Sequence, residues 1–223
     1  MKVFQIGFNK CGTSSIYYRL DALGFSATHL KTHDGRYIAS IMQENLYHGQ
    51  HILTGLEAYD AFTDIEDVRE DAFVEGYKFY PQILRQVDDA RFILNIRDRE
   101  RWVRSRLEHN NGAYAAALLK LSGLPTLDAL AESWRQDWNC HLEQVSATIP
   151  ADRLLVHDIE TDDPADIDRF LNRRLVRSVS KVPENFTRSK VSRLLSRLTP
   201  RIVKDALPKE LSRSAHYLLR RRR

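Results

Sequence analysis

Apolar positions along the chain fall into two alternating kinds of run. The short kind has strand length and is rich in apolar and β-branched residues: "KVFQI" (2–6), "FSATHL" (25–30), "AYDAFTDI" (58–65), "RFILNI" (91–96) and "DRLLVHD" (152–158). "RFILNI" carries the clearest pattern, since nearly every position suits a parallel strand buried on both faces. The longer kind repeats at helical spacing. Ile16, Leu20 and Leu23 share a face of 14–23, and Gly24 ends that helix. Residues 36–49 stop at Gly49, and 98–110 follow "RFILNI" directly. Residues 126–148 predict a long helix with Thr126 as its cap and Asp128 in its first turn. Residues 163–175 predict another, with Pro164 in the first turn. Phe73, Tyr77, Tyr80 and Leu84 also recur at helical intervals, so 67–87 reads as a helix that Pro81 bends or splits.

Strands that alternate with helices predict an α/β fold: a central parallel sheet with helices on both faces, a three-layer α/β/α domain of the P-loop NTPase-like kind. The domain is expected to span 1–190. The basic, amphipathic stretch 191–223 is expected to pack on it as a helical C-terminal extension, through Leu194, Leu195, Leu198 and Ile202.

Composition narrows the class. Hydrophobic residues make up 43 %, enough for a sizeable core, and no run approaches the roughly 20 apolar residues of a membrane span. The chain enters a strand at once rather than a signal-peptide core, so a soluble, cytoplasmic protein is expected. Its two cysteines, Cys11 and Cys140, make no disulfide framework. The net charge of +4 is unevenly spread: residues 169–223 carry 17 Lys and Arg against 3 Asp and Glu, and the first 168 residues carry 17 against 27. The basic end suggests an anionic ligand or a peripheral contact with membrane headgroups, or else a solvated tail, to which "RRRR" (220–223) reads. It lacks interleaved aromatics and any nucleic-acid module, so no nucleic-acid partner is expected.

The chemistry begins at "QIGFNKCGTS" (5–14), between the first strand and the first helix. Backbone N–H groups of such a loop converge at a helix N-terminus, whose dipole favours an anion. Gly7 and Gly12 permit close backbone approach, and Thr13, Ser14 and Ser15 add hydroxyl donors. A phosphate is the expected ligand. In the ATP-type loop GxxxxGK[ST] the lysine follows the second glycine; here Thr13 holds that place and the lysine is Lys10, at the crest. "FILNI" also ends in Arg97 where a magnesium-binding acid is wanted, although Asp98 follows.

"IGFNKCGTSSI" resembles the 5′-phosphosulfate loop of sulfotransferases that use 3′-phosphoadenosine-5′-phosphosulfate (PAPS), carried here by Lys10, Cys11, Gly12, Thr13 and Ser14. The family's second signature is a strand ending in arginine with a serine eight residues on, which bind the 3′-phosphate; "FILNIRDRERWVRSRL" supplies Arg97 and Ser105. The family's usual proline two places after the arginine is Arg99 here. The resemblance covers roughly residues 1–110 and, more loosely, the chain to 175.

It implies transfer of a sulfuryl group from PAPS to a hydroxyl or amine of a small-molecule or glycan acceptor, leaving 3′-phosphoadenosine-5′-phosphate, with no metal required. Lys10 would neutralise the leaving oxygen; Thr13, Ser14 and the loop amides would hold the 5′-phosphate; Arg97 and Ser105 would hold the 3′-phosphate. The alternative role of Arg97 is a salt bridge to Asp98, Glu100 or a neighbouring helix, and Cys11 reads as a small loop residue without chemistry. The base that takes the acceptor proton has no fixed place in the family. Asp64, at the end of the third strand, is one candidate, and a helix N-cap is its alternative role. His33 is the second candidate, while His29 reads as a core or edge histidine. Arg188 and Lys190 fit a late basic loop closing over the nucleotide, or a solvated turn. Two other functions stay open: a P-loop kinase or NTPase with a displaced lysine, and a non-catalytic P-loop-like binding protein. Residues that choose the acceptor are expected in 31–60 and 109–125, Asn110, Asn111 and Tyr114 among them.

Overall fold

The computed structural model describes residues 1–69 and 72–179. The chain opens with β1 (Lys2–Gln5) and α1 (Thr13–Ala22), followed by β2 (Ala27–His29) and α2 (Ile38–Tyr47). Next come β3 (Ala61–Thr63), a hairpin of β4 (Asp67–Arg69) and β5 (Ala72–Val74), and a 3₁₀ turn (Gly76–Phe79) leading into α3 (Tyr80–Gln86). The second half holds β6 (Ala90–Ile96), α4 (Arg99–Leu107), α5 (Ala113–Ser122), α6 (Leu127–Thr148), β7 (Leu154–Asp158) and α7 (Ala165–Leu171). Strands β1, β2, β3, β6 and β7 form one sheet in the order β2-β3-β1-β6-β7, parallel throughout.

Alternate residues of each strand feed opposite layers. Phe4, Phe62 and Phe92 point to one face, where Phe4 stacks on Phe62 at 5.0 Å and on Phe92 at 5.9 Å between ring centroids. There they pack with Ile38 and Met42 of α2, Ile83 of α3 and Val145 of α6. Val3, Ala61 and Ile93 point to the other face, against Ile16 and Leu20 of α1 and Ile167 and Leu171 of α7. This is a three-layer α/β/α domain, as the alternation of strand and helix predicts.

Two stretches depart from the sequence pattern. Residues 67–87 are not one bent helix. Asp67 pairs with Val74 and Arg69 with Ala72 in an antiparallel ladder. Asp67 is fully buried and accepts from Ser40 on α2 and from Arg69, which fixes the hairpin on the domain. Phe73, one of the residues at helical intervals, lies in β5 and is 42 % exposed. Pro81 does not bend a helix but sits in the first turn of α3, where its missing N–H is harmless. The second departure is α5, over residues assigned no element. It starts after Asn110, Asn111 and Gly112, three successive residues at positive φ (50°, 55° and 86°) that break the chain away from α4.

Thr126 caps α6 as expected, accepting from the Ala129 N–H at 3.1 Å. Among the described residues no helix is long and apolar enough to cross a membrane. The expected extension over 191–223, the domain boundary at 190, and Arg188 and Lys190 lie outside the described residues.

Candidate functional site

Parallel order places the carboxyl ends of β1, β3, β6 and β7 at one edge of the sheet, and the loop after β1 lies at the centre of that edge. Two buried polar side chains hold its shape. Asn95, wholly buried in β6, accepts the Gly7 N–H on Oδ1 at 3.1 Å and donates to the Cys11 carbonyl at 2.6 Å. It thus pins both ends of the loop. Gln5 donates to the Gly7 carbonyl at 2.6 Å and to Asn95 Oδ1 at 2.5 Å, and accepts the Asp64 N–H at 2.7 Å. A Cβ at position 7 would lie 2.2 Å from the Asn95 carbonyl oxygen, so only glycine fits. Gly12, at φ +73°, sets the entry to α1.

Phe8 anchors the loop from inside. It is fully buried between Trp102 at 4.6 Å, Trp138 at 5.3 Å, Tyr77 at 5.2 Å and His141 at 5.0 Å. Burial of such a side chain contributes about 1.5–3 kcal/mol. Asn9 is clamped twice: its carbonyl accepts from the Trp102 indole at 3.0 Å, and its amide donates to Glu66 at 2.7 Å. Behind Asn9, Arg106 donates to Glu66 at 3.2 Å and to the Tyr114 hydroxyl at 2.5 Å, and Tyr114 donates to Glu66 at 2.9 Å. Burial pushes the Glu66 carboxyl up to about 7, with Arg106 opposing. Residues 9, 66, 106 and 114 thus tie the loop to α4 and α5.

Lys10 follows this clamp, at φ 63° on the crest of the loop. Its ammonium lies 3.4 Å from His109 Nδ1. Burial lowers the Lys10 pKa, the Asp64 charge opposes that, and Arg97 adds to it. Burial, then Lys10 and Arg106, lower the His109 pKa to about 4, so its imidazole is neutral and Nδ1 accepts from the lysine. Cys11 points into the core and burial pushes its thiol pKa up, so it offers a ligand only its backbone. Thr13 is buried, Ser14 half-buried and Ser15 exposed, all in the first turn of α1, which carries no acidic residue. That helix end therefore carries no acid of its own, unlike α4 or α6.

Asp64 sits at φ 54° just past β3. It caps no helix, because strand β4 follows it. Burial raises its carboxyl, and His29, Lys10 and a Thr13 hydrogen bond oppose the rise. His29, read as a core or edge residue, stands in this group. Its Nδ1 is 2.9 Å from the Thr63 hydroxyl, and its Nε2 is 3.4 Å from Ser14 Oγ and 3.7 Å from Asp64. Thr63 donates onward to the Thr28 carbonyl, so the network places the ring proton on Nδ1 and leaves Nε2 as an acceptor. His33 lies elsewhere, exposed on the loop after β2, its ring 5.4 Å from Tyr59.

Arg97 directly follows β6. Its guanidinium donates to the Lys10 carbonyl at 3.1 Å and to Glu160 at 2.8 Å, and its Nε is buried with no partner among the described residues. The ion pair is thus with the loop after β7, not with Asp98, which caps α4, or with Glu100, which pairs with Arg135. Ser105 is half-buried on α4. The structure therefore brings together Lys10, Thr13, Ser14, Asp64 and Arg97, with His29 and His109 added and His33 apart.

Asn95 and Gln5 were legible as polar residues in otherwise apolar strands. Glu66, Arg106 and Tyr114 gave no local signal, since only the tertiary fold unites them.

The model of the sulfotransferase domain family matches residues 2–140. No curated protein matches the chain. The matched span includes both strand-to-helix junctions that meet at this edge, the Gly7–Ser14 loop and Arg97, and the chain belongs to the sulfotransferase family.

Proposed function

We propose that the chain transfers a sulfuryl group from PAPS to a hydroxyl or amine of a small-molecule or glycan acceptor. The observation that carries this reading is the hydrogen bond from Arg97 to the Lys10 carbonyl, 3.1 Å long. It joins the two junctions into one site with two cationic ends, as a nucleotide bearing phosphates at both its 5′ and 3′ positions requires. The residues fit that ligand. The β1–α1 loop has a glycine where any Cβ would collide, and Arg97 keeps a buried Nε without a partner among the described residues.

In this reading the loop amides, Thr13 and Ser14 hold the 5′-phosphate at the N-terminus of α1. Arg97 and Ser105 hold the 3′-phosphate. The donor supplies an activated sulfuryl group, and this chain's residues supply position and charge. Lys10 neutralises the negative charge that gathers on the oxygen between phosphate and sulfur as that bond breaks. Asp64 takes the proton of the acceptor hydroxyl as its oxygen bonds to sulfur. The lift that burial gives its carboxyl brings it toward the basicity the step needs, and His29 Nε2 is the neighbour to which that proton can pass. The Asp64 charge acts on Lys10, which supports a reading in which the two groups flank one sulfuryl group from opposite sides, Lys10 at the leaving oxygen and Asp64 at the attacking one.

Thermal denaturation with 3′-phosphoadenosine-5′-phosphate and with MgATP separates this reading from that of a kinase. The first nucleotide is expected to raise the melting temperature in the presence of EDTA, and Arg97→Ala to abolish the rise. A shift with MgATP alone would favour the kinase, and no shift with either would favour a non-catalytic domain.

A further inference from the structure

Arg97 does not face solvent with its charge unmet. Glu160, in the loop between β7 and α7, accepts from Arg97 Nη2 at 2.8 Å and from Arg101 Nη1 at 3.3 Å on the same oxygen. Its second oxygen faces the Asp98 N–H at the start of α4, at 3.5 Å. Burial alone would raise this carboxyl, but the Arg97 hydrogen bond and charge, the Asp98 N–H and the Arg101 charge together hold its pKa below the ordinary range. A single-headed oxyanion thus already stands among two guanidinium groups and a backbone donor.

The backbone beneath it is fixed. The Ile159 N–H donates to the Ile96 carbonyl at 3.0 Å, and the Glu160 N–H donates to Asp158 at 2.9 Å. The carboxylate can leave by side-chain rotation alone. Arg101 lies one turn before Ser105 on α4, so the two share a helix face with Arg97 at its foot.

We propose that the Glu160 carboxylate is a resident anion in the 3′-phosphate subsite, that an incoming phosphate displaces it, and that Arg101 is a second guanidinium for that phosphate. This rests on the reading of the site as one for a 3′-phosphorylated nucleotide. Displacement breaks two ion pairs for those the phosphate makes, which weakens donor and product alike. The returning carboxylate then assists release of the product, a step that limits turnover in many enzymes.

Calorimetric titration of 3′-phosphoadenosine-5′-phosphate and of 5′-AMP into the wild-type chain, Glu160→Gln and Arg101→Ala tests this, with melting temperatures confirming that each variant folds. Glu160→Gln is expected to tighten the bisphosphate about tenfold, an effect of about 1.4 kcal/mol, and to change 5′-AMP by less than about threefold. Arg101→Ala is expected to weaken only the bisphosphate, again about tenfold. Bisphosphate affinity that is unchanged or weaker in Glu160→Gln overturns the proposal, because the carboxylate then only orients Arg97. Equal tightening of both nucleotides overturns it as well, since that is a general charge effect. A wild-type chain that binds the two nucleotides equally refutes the underlying reading of the nucleotide, and the proposal with it.

Discussion

The two ends of the site are built by opposite means. At the loop after β1 the donors are backbone amides and short hydroxyls, and the shape is imposed from below by buried Asn95, Gln5 and Phe8. At the end of β6 the donors are long guanidinium side chains, partly exposed and already paired with Glu160. The first end is rigid because its partners are in the core, where an unmade hydrogen bond is costly. The second is adjustable because its ion pairs stand at the surface, where each contributes little. In the proposed function, rigidity belongs where a sulfuryl group must be aligned to fractions of an ångström, and exchangeable ion pairs suffice where a nucleotide must only be gripped and released.

This contrast is sharpened or broken by variants on each side. Lys10→Ala is expected to have the largest effect, lowering the rate of transfer from PAPS by about 10²–10³-fold while nucleotide affinity changes far less; a comparable loss in both would make Lys10 a mere binding residue. Asn95→Ala removes a hub that holds both ends of the loop. It is expected to cost about 3 kcal/mol, seen as a fall of about 6–12 °C in the melting temperature. Arg97→Ala is expected to leave the melting temperature nearly unchanged yet weaken the 3′,5′-bisphosphate nucleotide by about 2–3 kcal/mol, with 5′-AMP unaffected. If Arg97→Ala destabilises the fold as much as Asn95→Ala does, the two ends do not differ as described.

The smallest expected effect is on pH dependence. The His109 pKa is about 4 in the fold against 6.5 when exposed. Its neutral form is therefore the one the fold accepts. The stability it contributes is present above about 6.5 and is lost as pH falls toward about 4. Melting curves across that interval are expected to fall less steeply for His109→Asn than for the wild-type chain.

The sheet and its two junctions were legible because one local rule governs each. "RFILNI" is buried on both faces and reads so, and the Thr126 cap acts within a single turn. The hairpin at 67–74 was not legible, because tertiary contacts decide it: Asp67 is buried against α2, and its neighbours' helical spacing is incidental. The break before α5 did leave a trace in "HNNG", since Asn and Gly are the residues that accept left-handed backbone. His29 does lie on the edge strand β2, as one of its two readings had it, but strand periodicity assigns a face and not the end of the strand at which its ring meets Asp64 and Ser14. Glu66, Arg106 and Tyr114 are far apart in the sequence and converge only when α4 and α5 pack over the loop.

In the proposed function each junction holds one phosphate of a single nucleotide. A crystal structure with 3′-phosphoadenosine-5′-phosphate bound tests it most directly. The 5′-phosphate is expected on the amides of residues 10–14 and the 3′-phosphate on Arg97 and Ser105, with the Glu160 carboxylate turned away. A nucleotide bound in the opposite sense, or with no phosphate on Arg97, would contradict it.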